Sequence, residues 1–220
     1  KYNTATNTFR DKFRYIPGDI NQTSALDLGF YDRTAVAAAG NGDGNGLLQA
    51  CAQTAAAGLL AGCETTLFWR DLNQAGFIDG FFQSADETTA TIATTALPNW
   101  FPEAKIGRGN YITVFSAEGR NWYEITGITS TAAGVYTMTS NISPIEAFNI
   151  DEKVDDGRPL TGGVRAMDST SALNTIAVAA APAAGVCVGD GSANAAANTY
   201  NTETEAFANT AACQLRFRFN

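Results

Sequence analysis

Oxygen-bearing side chains alternate with glycine in the run GNGDGNG, which spans positions 40–46. Asn41, Asp43 and Asn45 stand at alternate positions, and the glycines between them permit a sharp turn of the backbone. Alternating side-chain oxygens followed by glycine are typical of the first half of a calcium-binding loop. These three residues are therefore candidate calcium ligands.

The second half of this loop departs from the calcium pattern, because Ala52 stands where a bidentate Glu is expected. Calcium takes roughly six to eight oxygen ligands, so a site here needs carboxylates from elsewhere in the chain. The available carboxylates are those of Asp19, Asp27, Asp32 and Glu64. The alternative is a metal-free turn, in which Asp and Asn side chains hydrogen-bond to their own backbone.

A second acidic group consists of Asp151, Asp155 and Asp156. Catalytic carboxylates need a cleft and shifted pKa values, and no companion motif accompanies these three residues. We therefore interpret the group as a helix end followed by a turn, in which Asp151 pairs with Lys153 or Arg158.

The composition excludes several classes of function. The chain contains no histidine, which removes Ser-His-Asp and Cys-His catalysis and histidine-ligated zinc. Asp and Glu number 22 against 14 Lys and Arg, for a formal net charge of -8. Nucleic acids and anionic membrane surfaces attract basic proteins, so we expect no nucleic-acid partner. We predict a protein that is not an enzyme.

Four cysteines occur, and none belongs to a CxxC motif, which argues against a zinc ribbon or a thioredoxin-type site. An even number of cysteines in an acidic, polar chain predicts two disulfides formed in an oxidising compartment. Three pairings are open in principle. We favour Cys51–Cys63 and Cys187–Cys213, because each pair brackets a stretch rich in Gly, Ala or Asn. Buried free thiols are the alternative.

The first sixteen residues predict an amphipathic helix. Apolar residues recur there at steps of three and four, and Pro17-Gly18 ends the pattern. We expect three aromatic residues of this stripe, Tyr2, Phe9 and Phe13, to face a sheet. Nothing caps the start of the helix, which predicts an upstream segment that this sequence lacks.

Further elements follow from local patterns. Residues 64–75 predict a helix that ends before Gly76, and residues 110–116 and 122–127 predict a β-hairpin. A third strand is expected over 134–139, and a capping box at Ser143–Glu146 predicts another helix.

Two more stretches complete the secondary-structure prediction. Strict alternation predicts a half-buried strand over 214–220, with Arg216 and Arg218 on a face that we expect to be solvated. The Ala-rich stretch 47–60 is a candidate helix. The fold class is α+β.

Three segments together resemble the soluble part of a type IV pilin or a type II secretion pseudopilin. The first, KYNTATNTFRDKFRYIPGD, resembles the second half of the long pilin helix and the Leu/Ile-Pro-Gly-Asp turn that ends it. The second, GNGDGNG followed by LFWRDLNQAGFIDG, resembles a Gly/Asn-rich loop and a Trp-x-x-Leu-x-x-Ala-Gly segment. The third, AFNIDEKVDDGRPLTGGVRA, resembles an Ile-Asp-x-Lys-x-Asp-Asp-Gly element of many prepilin-like proteins.

The resemblance implies one pilin-like domain, in which an N-terminal helix packs on an antiparallel sheet and disulfides tie down loops. Residues 1–16 would form the second half of the long helix, 17–109 a loop and helix insertion, and 110–220 the sheet and the C-terminal disulfide region. A hydrophobic helix upstream would anchor the chain in the inner membrane, be cut and N-methylated there, and then bundle with other subunits.

The expected function is that of a structural subunit of a type IV pilus or pseudopilus filament at the bacterial cell surface or in the periplasm. Its partners would be other pilin subunits and the pilus or secretion assembly machinery. The alternative is a secreted, calcium-dependent adhesion or binding domain, with the glycine-rich loop as its metal site.

Overall fold

A computed structural model of the chain describes residues 1–33, 42–50, 61–83, 91–132, 134–168, 187–189, 198–203 and 205–219. The helices in these ranges are α1 (Tyr2–Phe13), α2 (Gln22–Asp27), α3 (Glu64–Gln74), α4 (Pro144–Val154), α5 (Glu205–Ala208) and a 3-10 helix (Thr94–Asn99). The strands are β1 (Asn110–Ala117), β2 (Arg120–Ala132), β3 (Val135–Thr139), β4 (Val164–Asp168) and β5 (Cys213–Phe219). Helices and an antiparallel sheet confirm the α+β class.

The sheet is built around β2, which is long enough to pair with three other strands. The strand order is β1-β2-β5-β4, and β3 pairs with the distal part of β2. All these pairings are antiparallel. The predicted hairpin, third strand and terminal strand are confirmed, whereas β4 was not predicted.

Helix α1 ends three residues earlier than the sequence predicts. Its C-cap is Arg14, which adopts a left-handed conformation with φ 66°. Ile16 precedes Pro17, and the proline ring disfavours a helical conformation for the residue before it. The apolar stripe nevertheless continues past the helix, because Ile16 is 9% exposed and belongs to the core.

The aromatic stripe of α1 packs chiefly on other aromatic residues outside the sheet. Phe9 and Phe13 both contact the rings of Phe30 and Phe77, with Phe9 fully buried. The prediction that this stripe faces the sheet is therefore wrong for these two residues. A sequence period identifies the buried face of a helix but not the element that covers it.

Helix α3 lies against both α1 and the sheet. Tyr2 of α1 packs edge-on against Trp69 of α3, and it also lies close enough to Tyr123 on β2 to affect the pKa of that residue. Phe68 of α3 contacts the ring of Tyr123 on β2. The link between α1 and the sheet is polar, since the Thr6 hydroxyl lies 2.8 Å from the Tyr123 hydroxyl.

A buried ion pair fastens the turn after α1 to α3. Nη2 of Arg33 donates to both carboxylate oxygens of Asp71 on α3, at 2.6 and 2.7 Å, and both side chains are fully buried. Nη1 of Arg33 donates to the carbonyl oxygens of Gly18 and Ile20. The backbone N–H of Gly18 donates to Asp71 in turn, at 2.7 Å. We call this group of four residues the turn clamp.

A second buried ion pair crosses the sheet. Nε of Arg216 on β5 donates to Oε1 of Glu124 on β2 at 2.9 Å, and neither side chain is exposed. The guanidinium also lies over the ring of Phe115. The expectation that Arg216 is solvated is therefore wrong, because a carboxylate on the neighbouring strand compensates its burial. Arg218 is exposed, as expected.

The C-terminal part of the sheet has a small core of its own, fastened by a disulfide. Cys187 and Cys213 are bonded, with an S–S distance of 2.00 Å, which confirms the predicted pair. Cys51 lies outside the described residues, so the Cys51–Cys63 pair stays a prediction. The capping box at Ser143 and Glu146 is confirmed at the start of α4.

Residues 47–50 are not helical, and the rest of the candidate helix over 47–60 falls outside the described ranges. None of the helices in the described ranges has both the length and the apolar composition needed to span a membrane.

Replacing Asp71 by Asn tests the turn clamp. The amide keeps an acceptor for Gly18 but leaves the buried Arg33 charge uncompensated, which we expect to lower the free energy of unfolding by about 3–5 kcal/mol. Urea denaturation measures the loss. The matched control is Asp79→Asn, because Asp79 is fully exposed and lies 3.7 Å from Lys1. The control should leave the free energy of unfolding nearly unchanged, because exposed ion pairs contribute little to stability. Similar losses for both variants would contradict the assignment.

Candidate metal centre

Three carboxylates from separate segments converge next to the turn clamp. They belong to Asp19 in the turn after α1, Asp43 in the glycine-rich loop and Glu64 at the start of α3. One oxygen from each carboxylate lies within 4.8 Å of the other two. We call these residues the Asp19 cluster.

The backbone approaches so closely here that two positions require glycine. A Cβ on Gly18 would clash with the carbonyl oxygen of Glu64, and Gly18 also has φ +87°. A Cβ on Gly42 would clash with the backbone of Asp19. The turn is thus held between the first turn of α3 and the glycine-rich loop, and this contact brings the three carboxylates together.

Asp19 organises the loop that faces it. The backbone N–H of Gly44 donates to Oδ1 of Asp19 at 2.8 Å, and that of Gly46 donates to Oδ2 at 2.7 Å. Burial nevertheless dominates, and it raises the pKa of Asp19 to about 6. The charge of Asp43 adds to this rise, whereas the two amides oppose it.

Glu64 is the most perturbed acid of the cluster. Its side chain is 4% exposed, and Oε2 accepts a hydrogen bond from the backbone N–H of Gln49 at 2.7 Å. Burial raises the pKa of Glu64 to about 8, with a smaller contribution from the charges of Asp19 and Asp43 and against the opposing effect of the Gln49 amide. At neutral pH the metal-free cluster therefore keeps a proton on Glu64.

The structure describes two of the three candidate calcium ligands in the glycine-rich loop. Both oxygens of the exposed Asp43 accept hydrogen bonds from Asn45, one from its backbone and one from its side chain. Oδ1 of Asn45 accepts from the backbone N–H of Leu47 at 2.7 Å. These bonds within the loop are those of the metal-free alternative. Asn41 lies outside the described residues.

Of the four carboxylates that the sequence offered as helpers, the structure brings two to Asp43. Asp19 and Glu64 join the cluster, whereas Asp27 and Asp32 do not belong to it. Oδ1 of Asp32 instead accepts from the side chain of Gln22. The spacing of residues in the sequence cannot show which carboxylates join the cluster. Their choice depends on how the turn clamp positions Asp19 against α3.

The donor set suits a hard cation. All three ligands are carboxylates, which are the ligands of calcium and magnesium, and no thiolate or imidazole takes part. Three carboxylates repel one another, so the cluster gains from either a proton or a divalent cation. Calcium would need further oxygens from backbone carbonyls and water.

The second acidic group also converges in space. One oxygen from each of Asp151, Asp155 and Asp156 lies within 4.8 Å of the others. Asp151 accepts a hydrogen bond from the Tyr200 hydroxyl at 2.8 Å, a partner that sequence analysis missed because 49 residues separate the two. The predicted end of α4 near this group is confirmed at Val154.

No protein-family model, curated protein or solved structure matches this chain.

The raised pKa of Glu64 predicts a dependence of stability on pH without metal. Between about pH 4.5 and 8 the unfolded chain has lost the Glu64 proton while the folded chain keeps it, so raising the pH lowers the free energy of unfolding. Glu64 alone would account for roughly 3–5 kcal/mol over this window. Urea denaturation in a chelator at pH 5 and pH 8.5 measures the decline. The free energy of unfolding should decline less in Glu64→Gln than in the wild type. In Glu103→Gln, at an exposed position, it should decline as much as in the wild type. Identical slopes in all three proteins would refute the assignment.

Calcium binding provides a second test of the cluster. Asp43→Asn removes one ligand charge at an exposed position, so we expect the affinity for one calcium ion to fall at least about tenfold. Titration calorimetry measures the constant, and circular dichroism checks that the variant is folded. Asp27→Asn is the matched control, because Asp27 is exposed and lies outside the cluster. Equal affinities in the two variants would count against the site.

Proposed function

We propose that this chain is the soluble head of a filament subunit of the type IV pilin or pseudopilin kind. The observation that carries the proposal is the turn clamp. It joins the Ile16-Pro17-Gly18-Asp19 turn to α3, the helix that carries the Trp-x-x-Leu-x-x-Ala-Gly pattern. Two of the three segments that resemble pilins thus form one packed unit. This packing supports the interpretation that both belong to one pilin-like head.

The layout of α1 supports the same proposal. Ala5, Thr6 and Phe9 form its buried face, while Asn3, Asn7 and Arg10 are exposed. A helix with one apolar stripe lies on a globular head, whereas a helix that is apolar all round lies in lipid or in a bundle. In a filament, the exposed polar face of α1 would be available to neighbouring subunits.

The proposed mechanism is assembly instead of catalysis. An apolar helix upstream of α1 would hold the subunit in the inner membrane, be N-methylated after cleavage, and then pack with its copies in the filament. The head would present its polar surface outward, at the cell surface or in the periplasm. The disulfide at Cys213, the first residue of β5, supports exposure to an oxidising compartment.

A calcium-dependent adhesion or binding domain is the second candidate. The convergence of Asp19 and Glu64 on Asp43 favours it, since adhesion domains that work outside the cell can take calcium from their surroundings. Calcium binding alone does not separate the two candidates, because an ion could equally stabilise a filament head. The distribution of the protein between membrane, filaments and medium does separate them.

Fractionation of cells that carry the natural gene tests the proposal. We expect two pools, one in the inner membrane and one in filaments sheared from the surface. The control is a strain without prepilin peptidase, in which the membrane pool should persist and the filament pool should disappear. A protein found only free in the medium, in equal amount in both strains, would favour the adhesion domain and contradict the filament subunit.

A further inference from the structure

We propose that Asp151, Asp155 and Asp156 form a divalent-cation site of the calcium type, separate from the Asp19 cluster. The site lies where α4 ends and the chain turns toward β4. It is independent of the proposed filament function and would exist in either candidate class of protein.

The buried carboxylate of Asp151 carries the argument. The residue is 0% exposed, and one of its oxygens accepts from the Tyr200 hydroxyl. Its other oxygen, Oδ1, is buried and accepts no hydrogen bond of 3.5 Å or less from the described residues, although the backbone N–H of Gly157 acts on the carboxylate. A buried carboxylate oxygen without a donor is costly, because burial removes its water and nothing replaces it. A cation that reached this oxygen would remove that cost.

Asp155 and Asp156 complete the group from the exposed side. Oδ2 of Asp155 accepts from the backbone N–H groups of Gly163 and Val164. Oδ1 of Asp156 accepts from the backbone N–H of Arg158 at 2.9 Å. These bonds hold both carboxylates in place, and each carboxylate keeps lone pairs that the hydrogen bonds do not use. An ion could therefore enter from solvent without a rearrangement of the loop.

The donor chemistry selects a hard cation. Three carboxylates whose oxygens lie within 4.8 Å of one another supply only oxygen ligands and three negative charges. Calcium tolerates irregular geometry and a mixture of carboxylates and water, whereas magnesium demands a near-ideal octahedron. The different origins of these carboxylates, one buried at a helix end and two exposed in a turn, suit calcium better.

An ion here would hold together two segments that lie far apart in the sequence. Tyr200 is 3% exposed, packs against the ring of Phe148 on α4 and donates to Asp151. The segment of Tyr200 pairs with Val188, which follows the disulfide-bonded Cys187. Neutralising Asp151 with a cation would thus strengthen the attachment of the disulfide region to α4.

Calcium titration in an Asp43→Asn background tests the site, because that substitution weakens binding at the Asp19 cluster. We expect calcium to bind the second site in this background, with an affinity at least about tenfold weaker when Asp156→Asn is added. Asp156 is exposed, and Asn keeps an oxygen that can accept from Arg158, so the fold should persist. Glu152→Gln is the control for lost charge nearby, and it should leave the affinity unchanged.

Each other outcome overturns the proposal. If folded Asp43→Asn protein binds no calcium up to about 5 mM, the weak end of calcium sites in proteins, no second site exists. If Asp156→Asn and Glu152→Gln bind equally well, the ion lies elsewhere. Neither result bears on the filament proposal, which depends on where the protein is found in cells.

Discussion

The bond between Arg33 and Asp71 is the interaction on which the rest of the N-terminal half depends. A buried arginine needs acceptors for its charge and its donors, and the turn clamp supplies a carboxylate and two backbone carbonyls. The same contacts fix the turn between Gly18 and Ile20 against α3. Because Asp19 lies inside this turn, the clamp also decides where its carboxylate points, and that direction is toward Glu64.

The two buried ion pairs and the Asp19 cluster compensate their charges in different ways. Asp71 faces Arg33, and Glu124 faces Arg216, so each of these two carboxylates has a buried guanidinium as its partner. The Asp19 cluster instead gathers three carboxylates. Backbone amides donate hydrogen bonds to them, and the raised pKa of Glu64 keeps a proton on one of them. An arrangement that collects like charges is stable only with a proton or a cation. This difference makes the cluster a candidate site and the two pairs structural.

Local patterns predicted most elements, because the forces behind them act over a few residues. The capping box of α4, the hairpin of β1 and β2 and the alternation in β5 all involve neighbouring positions. What the sequence could not supply were the contacts between distant segments. The pairing of Arg216 with Glu124 spans 92 residues, and that of Arg33 with Asp71 spans 38. The same limit applies to the candidate metal site. Asp43 was predicted as a ligand from the pattern of its own loop. Only the fold shows that Asp19 and Glu64 join it, and that Asp27 and Asp32 do not.

The central claim is that the clamp places Glu64 in a cluster that must hold a proton or a cation. Carbon-13 NMR of the Glu64 side-chain carboxyl, titrated with and without calcium, tests this claim most directly. The account predicts that without calcium the pKa of Glu64 is about 8. With saturating calcium its pKa should fall well below that value, because the ion displaces the proton. A Glu64 carboxyl that titrates near 4.5 under both conditions would contradict the account.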